Sequence, residues 1–464
     1  MERLILRLLL LCLLAGCASL PDVGYLRDRH APAAGPPTIL GAHGPLPEAK
    51  RQALLERLEK NAGRTDILAR HIAAEDAING TPLTAGNSVT LLDDGPATMR
   101  AILAAVRAAH DNINLETYIF EDDEVGRELA DMLIAKHAAG VAVHLIYDSV
   151  GTLDTPSAFF DRMRAAGIET LEYNPVNPLR ARGNWDPNQR DHRKLLVVDG
   201  RLAFTGGVNI SKVYGRSSFP GFPQHHAREP ENADDAAWRD TEVRIEGPAV
   251  AEFQSLFADT WRRGTGEALA GERYFPQLAR EGSALVRAIG SSPARADFTV
   301  YKTYVSAFAN ADRYAHVTIA YFVPDKQILH AMIDAAHRGV DVKIIFPSFS
   351  DVSLVLYAGR SFYEEMLEAG IHVYERRSAL LHAKTAVVDG VWSTIGSTNL
   401  DIRSFLHNEE INAVILDTGF AHQMETLFER DLGESEEITL ARWHRRGLAE
   451  RLREAAGRAL SYWL

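Results

Sequence analysis

Cysteine is nearly absent. Of 464 residues only Cys12 and Cys17 carry a thiol, which excludes a disulfide framework or a cysteine-rich metal site from the body of the chain. Long apolar runs are lacking too. The one leucine-rich stretch, "LILRLLLLCLLAG", is broken by Arg7 and ends in small residues, too short for a comfortable membrane span. There is no basic excess: 50 Lys and Arg stand against 62 Asp and Glu, a formal net charge of −12. That argues against a general nucleic-acid binder, although an acidic protein can still carry a local basic groove. A bias toward disorder is missing as well, since 46% hydrophobic and 24% charged residues are ordinary for a globular protein. The length suits one large domain or two medium ones.

What is present begins at the N-terminus. Arg3 and Arg7 lead into a leucine run that closes on Leu14-Ala15-Gly16-Cys17. This has the shape of a secretory signal and resembles a bacterial lipobox. The resemblance implies that residues 1–16 are a signal peptide and that Cys17 is lipidated. The chain would then be a membrane-anchored lipoprotein of the bacterial cell envelope, facing the periplasm. Residues 17–45, rich in Pro, Gly and Ala from "APAAGPPTILGAHGP", read as an extended lipidated tether. Residues 46–86 read as an N-terminal helical segment, with "EAKRQALLERLEKNAG" a helix ending near Gly63.

The rest alternates strand and helix: "SVTLLDDG", "ATMRAILAAVRAAHD", "NINLETYIF", "VGRELADMLIAKHAAG", "VAVHLIYDSVG". Such alternation indicates an α/β fold. The order recurs after Ser283: "GVAVHLIYDS" answers "GVDVKIIFPS", and Tyr118 and Asp122 answer Tyr321 and Asp325. We therefore expect two halves, 87–270 and 271–435, and a C-terminal basic helix at 436–464. That helix carries six arginines and aromatic ends; it suits a bilayer surface or packing on the body. Between the last two strand patterns of the first half lies a Pro/Gly/His-rich insert, "KVYGRSSFPGFPQHHAREPENADDA". It reads as a surface loop, either a lid or a tolerated insertion, with His225 and His226 on its surface.

The repeat is sharpest in one sentence written twice: "HRKLLVVDGRLAFTGGVN" from His192 and "HAKTAVVDGVWSTIGSTN" from His382. Eight of eighteen columns are identical, namely His, Lys, two Val, Asp, two Gly and Asn, and the polar columns repeat better than the apolar ones, the reverse of what packing alone would preserve. In a strand, H-x-K places His192 with Lys194, and His382 with Lys384, on one face. Asp199-Gly200 and Asp389-Gly390 suit tight hairpin turns. Gly207 and Ser397 precede Asn209 and Asn399, giving backbone and amide donors suited to an anion. Two halves together offer two imidazoles, two ammonium groups and two amides, a kit for a phosphodiester. One His can attack phosphorus while the other handles the alcohol proton, without metal or cofactor. Each His needs a carboxylate or a carbonyl to fix its tautomer; Glu242 and Glu410, or Asp240, lie on the strands that follow and could provide it.

H-x-K-x4-D with the trailing Gly and Asn, present twice, resembles the phospholipase D superfamily. "LETYIF", "WRDTEVRIEGPAV", "AYFVPD", "RSFYEEMLEAG" and "GSTNLDIRSFLHNEEINAV" are similar to bacterial cardiolipin synthases. The resemblance implies a duplicated fold, two α/β/α halves with mixed sheets about a pseudo-twofold axis and the site at the seam. It implies a catalytic set of His192, Lys194, Asp199, His382, Lys384 and Asp389, with His192 the nucleophile and His382 the general acid/base. It implies membrane phospholipids, phosphatidylglycerol or a related lipid, as substrates; no nucleic acid is expected, and a monomer suffices. Glu242 departs from the His common in "WRDTH", and the transmembrane helices of one synthase branch are missing. Hydrolysis to phosphatidic acid, a nuclease of the same superfamily and a non-catalytic lipid-binding lipoprotein are the rival readings.

Overall fold

The computed structural model describes residues 19–29, 36–180, 185–215 and 236–464. The strongly apolar segments become strands buried on both faces, as in Ala142–Asp148 and Asn112–Thr117, where helices cover one side and a shared core the other. Across the first half the strand order is Glu169–Tyr173, Ala142–Asp148, Asn112–Thr117, Leu195–Val198, Leu202–Gly206, Glu242–Glu246 and Leu83–Leu92. The second half repeats it with His372–Arg376, Asp341–Pro347, Tyr314–Ile319, Lys384–Val388, Trp392–Gly396, Asn408–Leu416 and Ala284–Ser291. Leu83–Leu92 and Ala284–Ser291 pair antiparallel at the centre, joining both halves in one mixed sheet of 18 strands among the described residues. The pseudo-twofold relation lies at this pair.

The helices Val250–Thr265 and Thr418–Gly433 pack into a core common to both halves. Phe253, Phe257 and Trp261 meet Val387, Ile411 and Phe420 there. Burying an aromatic side chain of this kind stabilises the fold by roughly 1.5–3 kcal/mol, so the halves are held as one body. Asp199 and Asp389 adopt φ of 53° and 52°, followed by Gly200 and Gly390 at 60° and 68°. Two successive positive φ values make the type I′ hairpin turn that Asp-Gly favours.

Several elements differ from the sequence reading. The helix Thr299–Asn310 went unread: it is buried nearly all round and has no side-chain cap, so neither an amphipathic stripe nor a cap marks it. The segment read as an extended tether is docked where it is described. Val23 is buried and donates to Gln327 Oε1 at 2.7 Å, Gln327 Nε2 donates to Pro21 O at 2.9 Å, and Arg27 pairs with Asp334. Ile39–Gly41 runs parallel to Leu83–Leu92. In the second half Asp325 caps its helix, whereas in the first the cap is Asp123, not Asp122, which pairs with Arg127. The C-terminal helix, Leu448–Ala459, leans on the helix Ser353–Arg360, the packed alternative. Cys17, His225, His226 and most of the insert lie outside the described residues. Among the described residues no helix is long and apolar enough to cross a membrane.

Candidate active site

Lys384 pairs with Ile319, and Leu195 with Glu116, at the C-terminal ends of parallel strands. Both H-x-K motifs therefore enter the sheet at the same edge, and H-x-K alternation keeps His and Lys on one face. Just before each motif the chain crosses to the other half. Arg190 and Asp191 run parallel to Asn408 and Glu409, and Leu380 and Leu381 run parallel to Trp238 and Arg239. These short cross-pairings set the geometry of the site.

Their consequence is an exchange of carboxylates. His192 Nδ1 lies 3.0 and 3.1 Å from the two oxygens of Glu410, a residue of the second half. His382 Nδ1 lies 2.7 Å from Asp240 Oδ2, a residue of the first. Each carboxylate accepts the Nδ1–H, fixing the tautomer and leaving Nε2 for chemistry. Glu242 does not serve as the sequence reading proposed. It lies buried beneath Gly206 and accepts from Val208 N at 3.3 Å. It pairs with Gly206 as Asn412 pairs with Gly396, so its counterpart is Asn412, and Asp240 is the counterpart of Glu410. The repeat in the strand after each motif is too degenerate to reveal that register.

Lys194 Nζ donates to His192 O at 2.6 Å and stands 5.1 Å from the Tyr118 ring. Lys384 Nζ donates to His382 O and lies 3.0 Å from His382 Nδ1. The rings of Tyr118 and Tyr321 meet His192 and His382 edge-on at 5.1 and 6.2 Å. Tyr214 OH is 3.2 Å from His382 Nδ1 and accepts from Asn209 Nδ2 at 3.1 Å. Tyr118 and Tyr321 were legible as matched columns of the repeat but were not read as site residues. Tyr214, the start of the insert, had no counterpart to signal it. Arg403, bonded to Asn188, adds positive charge near His192.

The proposed phosphate ligands divide. Asn209 and Asn399 face the site, their Oδ1 atoms accepting from Ile119 N and Tyr321 N at 3.2 and 3.4 Å. Gly207 and Ser397 are not donors to an anion: their backbone N–H groups bond Thr241 O and Ile411 O at 3.1 and 2.9 Å. They support the carboxylates instead. Ser397 Oγ donates to Glu410, while a Cβ at Gly207 would lie 2.1 Å from Asp240 Oδ1. Asp199 and Asp389 stand at the far end of their strands. Asp199 accepts from the N–H groups of His110, Asp111 and Asn112, and Asp389 from those of Asp312, Arg313 and Tyr314. That is loop anchorage away from the histidines, and it removes both from the catalytic set.

Burial and neighbouring charge tune the groups. Burial, then the charges of Lys194 and Lys384, holds the His192 imidazolium well below its usual range, so the ring is a free base at neutral pH. Burial also lowers His382, with Lys384 adding to it and Asp240 opposing. Lys194 is pushed down to about 7 and Lys384 to about 8, chiefly by burial. Burial raises Glu410 to about 7 despite Lys194. A bound phosphodiester anion would favour both ammonium ions again. Beside Glu169–Tyr173, an edge strand among the described residues, opens a cavity of about 860 Å³ lined by Arg164, Arg180 and Arg263. It reaches the neighbourhood of the site through Glu409, which accepts from Tyr173 OH at 3.4 Å and from Arg263 at 2.9 Å, and neither histidine lines it, so we place the chemistry at the two histidines.

A family model described as cardiolipin synthase, PLD-like domain, matches residues 102–217 and 304–432. The chain is 34% identical over 410 residues to cardiolipin synthase 2 of Bacillus anthracis, covering 88% of this chain and 76% of that one. It is 35% identical over 383 residues to a cardiolipin synthase of Geobacillus kaustophilus, covering 82% and 73%. The crystal structure of phosphatidylserine synthase from Haemophilus influenzae Rd KW20 has the same fold. Its TM-score is 0.60 at 14% identity, over 84% of this chain and 99% of that one.

Proposed function

The chain belongs to the phospholipase D-like family of cardiolipin synthases, and on that premise we propose that it is a phosphatidyltransferase. It moves a phosphatidyl group from phosphatidylglycerol, or a related phospholipid, to the alcohol of a second phospholipid. His192 Nε2 attacks phosphorus. The bond from phosphorus to the leaving glycerol oxygen breaks, and His382 Nε2–H protonates that oxygen. The phosphohistidine is then opened by the acceptor hydroxyl, whose proton returns to His382. Lys194, Lys384, Asn209 and Asn399 bear the non-bridging oxygens. Glu410 and Asp240 hold the two imidazoles and stabilise their charged forms.

The observation that carries this reading is the exchanged pairing of two imidazoles with two carboxylates across the seam. It supports one chain acting as a monomer, since both halves, 87–270 and 271–435, belong to the same chain. Lipidation at Cys17 and a periplasmic location are part of the same proposal. The test is purified protein with phosphatidylglycerol vesicles and a chelator, followed by mass spectrometry of the lipids. Cardiolipin with released glycerol, lost in His192→Ala, is the expected result. Phosphatidic acid alone would make the protein a hydrolase.

A further inference from the structure

The C-terminal helix Leu448–Ala459 is mounted with its apolar side outward. Leu448 and Leu452 are 73% and 62% exposed, and Ala455, Ala456 and Ala459 continue the exposed stripe toward Trp463. These positions recur at helical spacing on one face. The opposite face holds Glu454, which accepts from Arg446 Nε at 2.9 Å, and Gly457, where a Cβ would lie 2.6 Å from Ala358 N. A helix closing a water-exposed surface would bury its leucines; this one buries a glutamate and a glycine against its neighbour and shows its leucines to the outside.

The location adds a second observation. The loops leaving the parallel strands Ala142–Asp148 and Asp341–Pro347 start at the edge where both histidines lie. Asp351, in the second of these loops, accepts from Tyr321 OH at 2.6 Å, beside His382. The exposed large apolar side chains among the described residues concentrate here. Leu153, Val176 and Leu179 follow the first-half strands, Val352 and Leu354 open the helix that carries the C-terminal one, and only Tyr25 lies on another segment. The chain's last turn, Ser461–Trp463, packs on Ile402–Leu406, the short helix of Arg403.

We propose that this outward face, with the apolar rim beside the two histidines, is a docking surface for an anionic bilayer. The proposal rests on the phospholipid reading above and adds how the site meets its substrate. The occupant follows from charge. Residues 440–464 carry six arginines against two glutamates in a chain of formal net charge −12; Arg442, Arg446 and Arg458 pair with Glu436, Glu364 and Glu365 of the body, whereas Arg445, Arg451 and Arg453 bond Ala441 O, His444 O and Tyr357 OH and keep an uncompensated positive charge among the described residues. A second copy would bring the same positive face against itself, whereas anionic headgroups complement it and the acyl region accepts the leucines. The docked segment Pro21–Val23 is held by Gln327, at the start of a helix leaving the same edge.

The test uses the full chain, with Leu448→Asp/Leu452→Asp and, separately, Trp463→Ala. Transfer is measured on phosphatidylglycerol vesicles and on dihexanoyl phosphatidylglycerol below its micelle concentration. The double variant should lose about 10-fold or more on vesicles and change by less than about 2-fold on the monomeric lipid; Trp463→Ala should show the same split, smaller. An unchanged vesicle rate, or equal losses on both substrates, overturns the proposal. Hydrogen exchange is read in parallel, so that an inactive protein still decides the matter. Slowed exchange over 448–463 on phosphatidylglycerol vesicles, but not on phosphatidylcholine vesicles, supports docking even if the transferase reading fails. Slowing that depends on protein concentration without vesicles means a second copy covers the face, and overturns it.

Discussion

In the second half Ser397 donates its hydroxyl to Glu410; at the matching place the first half has Gly207, pressed against Asp240. The longer carboxylate reaches His192 over a serine, and the shorter one reaches His382 over bare backbone. Around them the halves diverge further. His192 sits beside a buried lattice of Arg193, Glu409 and Arg263, with Arg193 and Glu409 2.9 Å apart. The other side relies on Arg239 and Arg376 about Asp431. The edge strand His372–Arg376 is covered by Ser435–Ile438, while no described strand covers Glu169–Tyr173. Two copies of one motif have kept the polar geometry at the seam and let the supports differ. A nucleophile and an acid need the same orientation but opposite protonation, so identical surroundings would serve one role at the expense of the other.

The sharpest way to break the comparison is to remove each imidazole. His192→Ala should abolish transfer, by about 10⁴-fold or more, with any lipid leaving group. His382→Ala should fall comparably on phosphatidylglycerol but recover much of its burst rate with a phosphatidyl-p-nitrophenol substrate, whose leaving group needs no proton. Recovery in the His192 variant instead would reverse the two roles.

Next come the carboxylates. Asp240→Asn and Glu410→Gln should each cost about 10²–10⁴-fold in kcat, because the paired imidazole loses its fixed tautomer and its charge stabilisation. Glu242→Gln should cost no more than about 3-fold, since a neutral amide keeps the contact with Val208 N. A large loss in Glu242→Gln with a small one in Asp240→Asn, measured by steady-state kinetics, would contradict the observed pairing.

The lysines sharpen the comparison through pH. Both are held low by burial, Lys194 at about 7 and Lys384 at about 8. Their charges are therefore present at lower pH and lost as pH rises through those values. In the free enzyme kcat/KM should decline on that alkaline limb. Arg keeps its charge throughout, so Lys194→Arg should move the first decline to higher pH even if the rate itself drops. An alkaline limb unchanged in this variant would show that Lys194 does not control it.

The smallest catalytic effect belongs to the turns. Asp199→Asn and Asp389→Asn each weaken an anchor of three backbone N–H groups. Each should lower stability by about 1–3 kcal/mol, read as a fall in Tm, while kcat per folded molecule stays within about 2-fold. A selective loss of kcat at unchanged Tm would return these residues to the chemistry.

Much of this was open to a reader of the sequence. The duplication, the His and Lys on one strand face, the Asp-Gly turns and the α/β order are local patterns, each contained in a stretch of a few to a few dozen residues. Other features were hidden for identifiable reasons. Thr299–Asn310 is buried nearly all round and so has no clear periodic stripe. The docked N-terminal segment reads as a tether because its Pro and Gly content shows only that it forms no regular helix, not what it touches. Tyr214 stands alone at the start of an insert that the second half lacks.

The sequence alone determined the chemical kit and its doubling, because strand alternation and turn chemistry act between near neighbours along the chain. Only the tertiary structure decided which carboxylate serves which imidazole. Glu410 and His192 are 218 residues apart and Asp240 and His382 are 142 apart, and the short strands that cross between the halves bring them together. Tertiary structure likewise decided which face of the C-terminal helix looks outward, and that the ammonium groups of Lys194 and Lys384 are buried deeply enough to titrate near neutrality. Partners, burial and exposure come from packing between distant segments, and residue spacing does not carry them.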